Sequence, residues 1–400
     1  MANKTVTSPK GFEAGGLACG IKISGKKDMA LLLCPDGATA AAMFTTNKIV
    51  SAAVTVCKQH IKNETIKAVI ANSGNANACT GTKGLADAEK TCVLLARQIG
   101  AKADEILIAS TGIIGKHLPM PKINAGIKKI CKTAKNTASA GADFAKAIMT
   151  TDTRPKQAMR TLTISGKKIT IAGTSKGAGM IGPNMATTLC FITTDVNIAK
   201  PLLNSAFKEA IGGSLNKLTV DGHQSTNDTA IILASAVAAN PVIRSRCPRY
   251  KKFANSLADL CTDLAKQMAL DAEGATRMFT VVVKGAATKA DAAKAARAVA
   301  DYDLVKCAVH GADPNWGRII CAVGSAGVKL NLNKLNCKIG DITVFKNGRP
   351  AIFNPAAASK IIAAKEHTIT INLDSGKYSD FCYGCDLSRD YIKINADYHT

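Results

Sequence analysis

Lys176–Cys190 reads KGAGMIGPNMATTLC and contains the pattern G-x-G-x-x-G in Gly177, Gly179 and Gly182. That pattern holds a dinucleotide pyrophosphate where its third glycine opens a helix, with an acidic residue about 20 residues further on. Here the glycines lead instead to ATTLCFITT, a run of β-branched and apolar residues that predicts a buried strand. The stretch is therefore a loop that delivers Thr187 to the start of a strand.

The rest of the chain predicts a layered α/β protein. Its 400 residues, 47% of them hydrophobic, can bury a large core in two or three structural units. Groups of strand-like segments alternate with pairs of helical segments, which is typical of helices packed on sheets. The predicted strands are 20–23, 28–34, 40–46, 52–57, 67–74, 105–109, 161–173 as a hairpin turning at Ser165-Gly166, 187–194, 278–286, 318–324, 342–348 and 368–376. The main predicted helices are 85–101, 122–149 and 201–218.

Composition limits the class of function. The net charge of +23 raises the possibility of a nonenzymatic nucleic-acid-binding protein. However, 41 of the 52 basic residues are lysines spread along the chain, and aromatic residues make up only 4%, which favours a solvated surface that attracts anionic metabolites. The N-terminus lacks an apolar signal region and no segment has the length of a membrane helix, so a cytoplasmic protein without membrane association is expected.

The cysteines do not indicate a metal centre. The 14 cysteines are scattered among apolar neighbours, as expected for reduced, buried thiols. Only Cys382 and Cys385 form a C-x-x-C, and one such pair supplies two ligands where structural zinc needs four. We therefore expect no metal.

Thr187 is a candidate nucleophile. A threonine hydroxyl needs a base, and a threonine that begins a chain carries one in its own α-amine, which titrates near pH 8. That requires a cut between Ala186 and Thr187 in the glycine loop. From this stretch alone, the alternative that Thr187 simply starts a strand stays open.

Other stretches combine polar groups with apolar surroundings. ASTGIIG places Thr111 and Gly112 at a predicted turn, where a hydroxyl and an amide suit an oxyanion, or where they form an ordinary cap. MTTDT contains Thr150 and Thr151, which suit a carboxylate or a capped turn. The segments 220–229 and 313–319 are similarly rich in hydrogen-bonding groups, and their role is either functional or architectural.

These stretches together carry a family resemblance. NSGNANACTG, STGIIG, MTTDT, KGAGMIGPNMAT, VDGHQSTND, EGAT, HGADPNWGRI and CDLSRDYIKINADYHT occur in this order from Asn72 to Thr400, after the N-terminal GFEAGGLACGIK. The chain resembles the ornithine acetyltransferase family, the glutamate N-acetyltransferases of arginine biosynthesis. The resemblance implies a self-processed N-terminal-nucleophile enzyme with layered sheets flanked by helices, of the ArgJ and DmpA type.

The resemblance also implies a reaction. Self-cleavage between Ala186 and Thr187 gives an α chain, 1–186, which contains the oxyanion hole and the cleavage loop, and a β chain, 187–400, which begins at the nucleophile. Thr187 takes the acetyl group from N-acetylornithine, releases ornithine, and passes the acetyl group to glutamate to give N-acetylglutamate. No cofactor is required, although bifunctional members also use acetyl-CoA as a co-substrate, and the sequence leaves this open. Two α and two β chains per assembly are expected.

Site residues follow from the matched motifs. Thr111 and Gly112 match the oxyanion pair. The substrate-binding positions match Thr150, Thr151, Lys176, Thr187, Glu273, Asn395 and Thr400. Lysine and hydroxyl groups can hold an α-carboxylate, and a carboxylate such as Glu273 can hold an ammonium.

The chain departs from the family pattern at His223-Gln224 and at Thr188, which bears on fine specificity. The alternative function is an amidohydrolase or aminopeptidase with the same N-terminal threonine, in which water accepts the acyl group.

Overall fold

A computed structural model describes residues 4–182 and 188–397 of the chain. Its larger sheet contains β1 Glu13–Leu17, β2 Met29–Phe44, β3 Ile66–Asn75, β4 Ile106–Ile113, β5 Lys156–Ile164, β6 Lys167–Lys176, β7 Leu189–Thr194 and β8 Thr229–Ala234. The strands lie in the order β4-β3-β2-β8-β7-β6-β5, and β1 pairs with β2. β3–β4 and β7–β8 are parallel pairs, and the other pairs are antiparallel.

The smaller sheet is built entirely from the C-terminal part of the chain. It contains β9 Met278–Ala286, β10 Asn336–Ile339, β11 Ile342–Lys346, β12 Arg349–Pro350, β13 Glu366–Asn372 and β14 Tyr378–Cys385, in the order β12-β11-β10-β13-β9-β14.

Eleven α-helices are found in the described part of the chain. They are α1 Ala52–His60, α2 Gly81–Ile99, α3 Met120–Thr133, α4 Ala138–Ala147, α5 Lys200–Gly212, α6 Pro248–Leu270, α7 Lys289–Asp301, α8 Asp303–His310, α9 Trp316–Ser325, α10 Pro355–Ile362 and α11 Arg389–Asp397. None of these described helices is both long and apolar enough to cross a membrane.

The layers follow from the alternation of side chains along each strand. On β7, Phe191 faces α4 and makes an edge-to-face contact with Phe144 at 5.3 Å between ring centroids. Its neighbours Cys190 and Ile192 face the opposite way, into the core that contains α5 and α6. Successive strand residues point to opposite faces, so a central strand that is apolar at every position is covered on both sides.

The smaller sheet lies on the far side of α6. Tyr383 and Cys385 of β14 belong to the core around α6, whereas Phe279 and Val281 of β9 pack into a third core with α7 and α9. Helices therefore alternate with sheets through the molecule, as the layered α/β prediction requires.

Several sequence predictions are confirmed. The hairpin of β5 and β6 turns at Ser165 and Gly166, whose φ angles of 49° and 75° are those of a two-residue turn suited to the twist of a hairpin. The helices predicted at 85–101 and 201–218 correspond to α2 and α5. The long helical stretch at 122–149 is divided into α3 and α4.

Two predicted strands are helices. Residues 52–57 lie in α1, which begins where the hydroxyl of Ser51 accepts a hydrogen bond from the amide of Val54 at 3.3 Å. Residues 318–324 lie in α9, which is capped by Asn315. Both are short apolar runs, which periodicity alone cannot assign to strand or helix. The capping residues decide the outcome.

The predicted strand at 20–23 is a turn, because a buried carboxylate competes for its amides. The N–H groups of Cys19, Gly20, Ile21 and Lys22 all donate to the side chain of Asp28, over 2.7–3.1 Å. In addition, the predicted strands at 28–34 and 40–46 form the single strand β2, whose pairing with β3 is irregular between Leu33 and Ala38.

Candidate active site

One cleft collects every described residue that the sequence assigned to the site. They are Thr111, Gly112, Thr150, Thr151, Lys176, Glu273 and Asn395. They come from the ends of β4 and β6, the turns after α4 and α6, and α11. The empty space is about 760 Å³, partly open to solvent, which accommodates a ligand the size of an amino acid. We call it the central cleft. Ala186, Thr187 and Thr400 lie outside the described residues.

Thr111 and Gly112 lie near the end of β4, which extends to Ile113, rather than in the predicted turn. Their partners are Ser73 and Gly74 of β3, and the pairing then becomes irregular at Asn75. Gly112 has φ 130°, and a Cβ placed on it would lie 2.4 Å from the carbonyl carbon of Gly74. Glycine is therefore required here twice, once by the backbone angle and once by the close strand contact.

The side chain of Asn227 fixes the backbone around this pair. Its amide group donates to the carbonyl of Ser110 at 2.7 Å and to that of Ala76 at 2.6 Å. Asn227 is buried in the segment before β8. The segment 225–227 therefore joins the ends of β3 and β4 where they line the central cleft.

Lys176 ends β6 with its side chain only 2% exposed. Burial lowers the pKa of its ammonium group, while the carboxylates of Asp152, Asp228 and Glu273 oppose that shift. A buried cation facing an open cleft is suited to binding an anion, since a ligand carboxylate would replace part of the lost hydration.

Asp152 connects two walls of the cleft. One carboxylate oxygen accepts from the amide of Thr150 at 3.0 Å, and the other accepts from the amide of Gly177 at 2.8 Å and from the ammonium of Lys156. Burial opposes ionisation, but Lys156, Lys176 and the Gly177 amide hold the pKa of Asp152 below its ordinary value. Lys156 is fully buried and also pairs with Asp271 at 2.5 Å.

Glu273 and Asn395 form the opposite wall. The amide of Asn395 donates to the Glu273 carboxylate at 2.9 Å. Gly179 of the glycine loop passes so close that a Cβ on it would lie 2.2 Å from a Glu273 oxygen. The second glycine of the G-x-G-x-x-G pattern is thus needed for the approach of a carboxylate, not of a phosphate.

Asp221 holds the same loop from the other side. Its carboxylate accepts from the amides of Met180 at 2.7 Å and Ile181 at 2.9 Å. The hydroxyl of Tyr391, on α11, donates to Asp221 at 3.1 Å. The loop before residue 183 is therefore anchored to the segment 220–221 and to the C-terminal helix.

Asp228 fixes the start of β7. The amide of Thr188 donates to its carboxylate at 3.0 Å, and the amide of Thr229 donates to the carbonyl of Thr188 at 3.0 Å. Asp228 is fully buried, and burial raises the pKa of its carboxyl well above the ordinary range. The residue that follows Thr187 is thus held against an acidic side chain in the core.

Asp221, Asn227 and Asp228 received no role from the sequence. The available signal was the polar density of 220–229 directly before a buried strand, which the sequence left as either functional or architectural. Their partners are distant in the chain, so only the tertiary structure identifies them.

Elsewhere, no group of three or more His, Cys, Asp or Glu side chains among the described residues could hold a metal ion. Cys382 and Cys385 lie as free thiols in β14. Burial raises the pKa of the Cys382 thiol to about 12, so it is protonated at neutral pH.

Known proteins of one family match this chain, and two curated relatives match it along 99% and 100% of its length. The model of the ArgJ family matches residues 13–400. The arginine biosynthesis bifunctional protein ArgJ of Symbiobacterium thermophilum is 45% identical and covers 99% of this chain and 98% of its own. The ArgJ protein of Geobacillus kaustophilus is 42% identical and covers 100% of this chain and 97% of its own. The crystal structure of the Bacillus halodurans protein is 40% identical, with a TM-score of 0.50, and covers 52% of this chain and 97% of its own.

Proposed function

This chain belongs to the ArgJ family, and from that membership we propose that it is an acetyltransferase of arginine biosynthesis. It moves the acetyl group of N2-acetyl-L-ornithine to L-glutamate through an acetyl-Thr187 ester. The observation that carries the proposal is the convergence of seven residues, assigned from separate motifs, on the central cleft. A chance arrangement of structural residues would not bring hydroxyls, a buried ammonium and a carboxylate to one space.

The nucleophile arises by self-cleavage of the Ala186–Thr187 bond. Two observations support this step. The loop before the bond and the strand after it are both fixed, by Asp221 and Asp228, so the bond lies between two anchors. The Bacillus halodurans chain matches along 97% of its own length but covers only 52% of this one, so it is about half as long. That length agrees with a cut near residue 186.

The substrate is held at both charged ends of its amino-acid portion. Lys176, with the hydroxyls of Thr150 and Thr151, receives the α-carboxylate, because a buried ammonium gains most from an anion that replaces its hydration. Glu273 receives the ammonium of ornithine, and Asn395 orients that carboxylate at 2.9 Å. Thr400 completes the substrate-binding positions carried over from the family.

The acetyl group then moves in two equivalent steps. The α-amine of Thr187 removes the hydroxyl proton, and the oxygen attacks the acetyl carbonyl. The Thr111 hydroxyl and the Gly112 amide donate to the oxyanion of the tetrahedral intermediate. The C–N bond breaks, the proton passes to the departing ornithine amine, and an acetyl ester remains on Thr187. The amine of glutamate attacks that ester, and the bond between the Thr187 oxygen and the acetyl carbon breaks. The proton lost by the amine passes through the Thr187 α-amine to the Thr187 oxygen, so N-acetylglutamate leaves and the hydroxyl is restored.

The proposal includes a second acetyl donor, acetyl-CoA, which makes the enzyme an amino-acid N-acetyltransferase as well. The relatives that match along their whole length are named bifunctional, which supports this addition. We further propose that two α and two β chains form the assembly and that no other cofactor takes part.

The first test is the intact mass of the purified protein under denaturing conditions, with Thr187→Ala and Thr187→Ser beside it. We expect two chains in the wild type, the second beginning at Thr187. Thr187→Ala should stay uncut, and Thr187→Ser should still be cut because it keeps a hydroxyl. A wild-type protein that remains one chain would exclude the N-terminal nucleophile.

The second test separates transfer from hydrolysis. Release of ornithine from N-acetylornithine is followed with and without glutamate. A transferase releases ornithine much faster when glutamate is present, whereas equal rates would assign the protein to the amidohydrolases.

A further inference from the structure

A second cleft beside the central one is strongly basic. We call it the basic cleft, and its charged lining consists of Lys22, Lys26, Lys116 and Lys122, with His117 alongside. None of the described residues that line it carries a carboxylate. Its empty space is about 1120 Å³, partly open to solvent. A concave surface with one sign of charge attracts a multiply charged anion.

The two clefts share a wall. Thr150 lines both of them, and the consecutive residues Ile113 and Ile114 line the basic and the central cleft respectively. Gly74 lines the basic cleft and lies directly behind Gly112, whose added Cβ would be 2.4 Å from its carbonyl carbon. Only the end of β3 therefore lies between a ligand in the basic cleft and the candidate oxyanion position.

The fold turns the lysines of this region outward. Asp28 is fully buried, and its carboxylate accepts hydrogen bonds from four backbone amides of the segment 19–22. The acidic group therefore points inward while the turn faces solvent. Lys22 donates to the carbonyl of Met149 at 2.7 Å, and Lys122 donates to that of Gly20 at 2.7 Å. These two lysines hold the walls together.

Two other lysines are available for a ligand. Lys26 and Lys116 are exposed, and neither forms an ion pair with a carboxylate of the described chain. Ile23, on the same turn as Lys26, is fully exposed and adds an apolar surface to this polar edge. Cations beside an exposed apolar side chain suit a phosphorylated ligand that also carries a base.

We infer that the basic cleft binds the phosphates of an acyl thioester carried by a phosphorylated nucleotide, the chemical class of acetyl-CoA. This inference rests on the proposed function, since it gives the second acetyl donor its place. The flexible arm of such a donor passes the shared wall at Thr150 and brings the thioester to Thr187. The Thr187 oxygen forms a bond to the acetyl carbon, the C–S bond breaks, and the hydroxyl proton passes through the α-amine to the departing thiolate.

The test measures the binding of CoA directly by isothermal titration calorimetry, using the cut enzyme. The double variant Lys26→Glu/Lys116→Glu reverses the two available charges. The matched control Lys129→Glu/Lys132→Glu makes the same change of net charge at exposed lysines of α3 that lie outside the basic cleft. We expect the Kd for CoA to rise about tenfold or more in the first variant and about twofold or less in the control.

A second probe identifies the phosphates as the recognised groups. Pantetheine, which has the arm without the phosphates, should bind the wild type and the Lys26→Glu/Lys116→Glu variant equally weakly. The KM for N-acetylornithine should stay within about twofold in that variant, because neither lysine lines the central cleft.

The outcomes separate this inference from the proposed function. If the wild type fails to bind CoA, or if both double variants lose affinity equally, the basic cleft is not the donor site. Neither result affects glutamate-dependent release of ornithine. Loss of that release in the wild type would instead overturn the proposed function, whatever the affinity for CoA.

Discussion

At the scale of single residues, the proposed oxyanion position depends on how β4 ends beside β3. Gly112 is confined by Gly74 and Asn75, and Thr111 is 3% exposed, so neither group needs to rearrange when charge develops on a ligand. Donors that are fixed in advance stabilise a transition state without a reorganisation penalty.

Removal of one donor should therefore slow the chemical step. Thr111→Ala should lower kcat for acetyl transfer from N-acetylornithine to glutamate by about 10²–10³-fold, with a much smaller change in KM. Thr111→Ser keeps the hydroxyl and should retain most of the activity. The two variants are compared by steady-state kinetics on fully cut protein. An alanine variant as active as the serine variant would show that Thr111 does not stabilise the oxyanion.

At the scale of elements, the buried ion pairs around Lys156 join the turn after α4 to the end of β6. Asp152 holds Thr150 and Gly177 at the same time, and Asp271 holds Lys156 from the end of α6. The exposed pair of Arg160 and Asp263 on the same region of β5 and α6 provides a comparison, since its side chains are 34% and 43% accessible.

Loss of the carboxylate from the buried pair should reduce the free energy of unfolding much more than loss of the carboxylate from the exposed pair. Asp152→Asn leaves Lys156 with one carboxylate and should reduce the free energy of unfolding by about 3–5 kcal/mol. Asp263→Asn should reduce it by about 1 kcal/mol or less. Urea unfolding in the uncut Thr187→Ala background measures both. Equal effects would mean that the buried pairs contribute no more than surface charges.

At the scale of the whole molecule, the proposed cut crosses the larger sheet instead of dividing two domains. β2 pairs with β8, and β6 pairs with β7, so the two strands of the proposed β chain lie between strands of the proposed α chain in one sheet. β6 and β7 exchange backbone hydrogen bonds along six paired residues, from Ile171–Thr194 to Lys176–Leu189.

The two chains should consequently remain together after cleavage. Native mass spectrometry should give an α and a β chain in equal number in every species, and denaturant should be needed to separate them. Free α chain in native buffer would contradict the shared sheet.

The smaller sheet should contribute an acid-sensitive part of the stability. His367 of β13 stacks on Phe279 at 5.8 Å between ring centroids, and burial lowers its pKa to about 4 from 6.5. The unfolded chain therefore binds a proton that the folded chain does not. Stability is lost as the pH falls from about 6.5 towards 4, by up to about 3 kcal/mol from this group.

His367→Phe keeps a ring against Phe279 and removes the titration. In the Thr187→Ala background, the free energy of unfolding of this variant should fall less between pH 6.5 and 4.5 than that of its parent. Urea unfolding measures the free energy at both pH values. An equal loss of unfolding free energy in the variant and its parent would show that His367 titrates normally in the folded protein.

Elements with a local pattern could be predicted from the amino-acid sequence. Ser165-Gly166 between two alternating runs was enough to predict the β5–β6 hairpin, and a periodic apolar face was enough to predict α2. The ordered motifs also proposed site residues, and those that lie in the described part of the chain line one cleft. The short apolar run 52–57 has no clear periodicity, and its residue types predicted a strand. The structure has a helix there, which begins at the cap of Ser51.

The groups that hold those motifs in place could be identified from the three-dimensional contacts alone. Asp228 on Thr188, Asp221 on the glycine loop and Asn227 on Ser110 are contacts over 40, 41 and 117 residues of sequence. Hydrogen bonds of this kind leave no periodicity in the chain, because each depends on where two distant segments meet in the sheet. The basic cleft has the same origin, since the turn that follows β1 and the segment that follows β4 are brought together by the pairing of β2 with β3 and of β3 with β4.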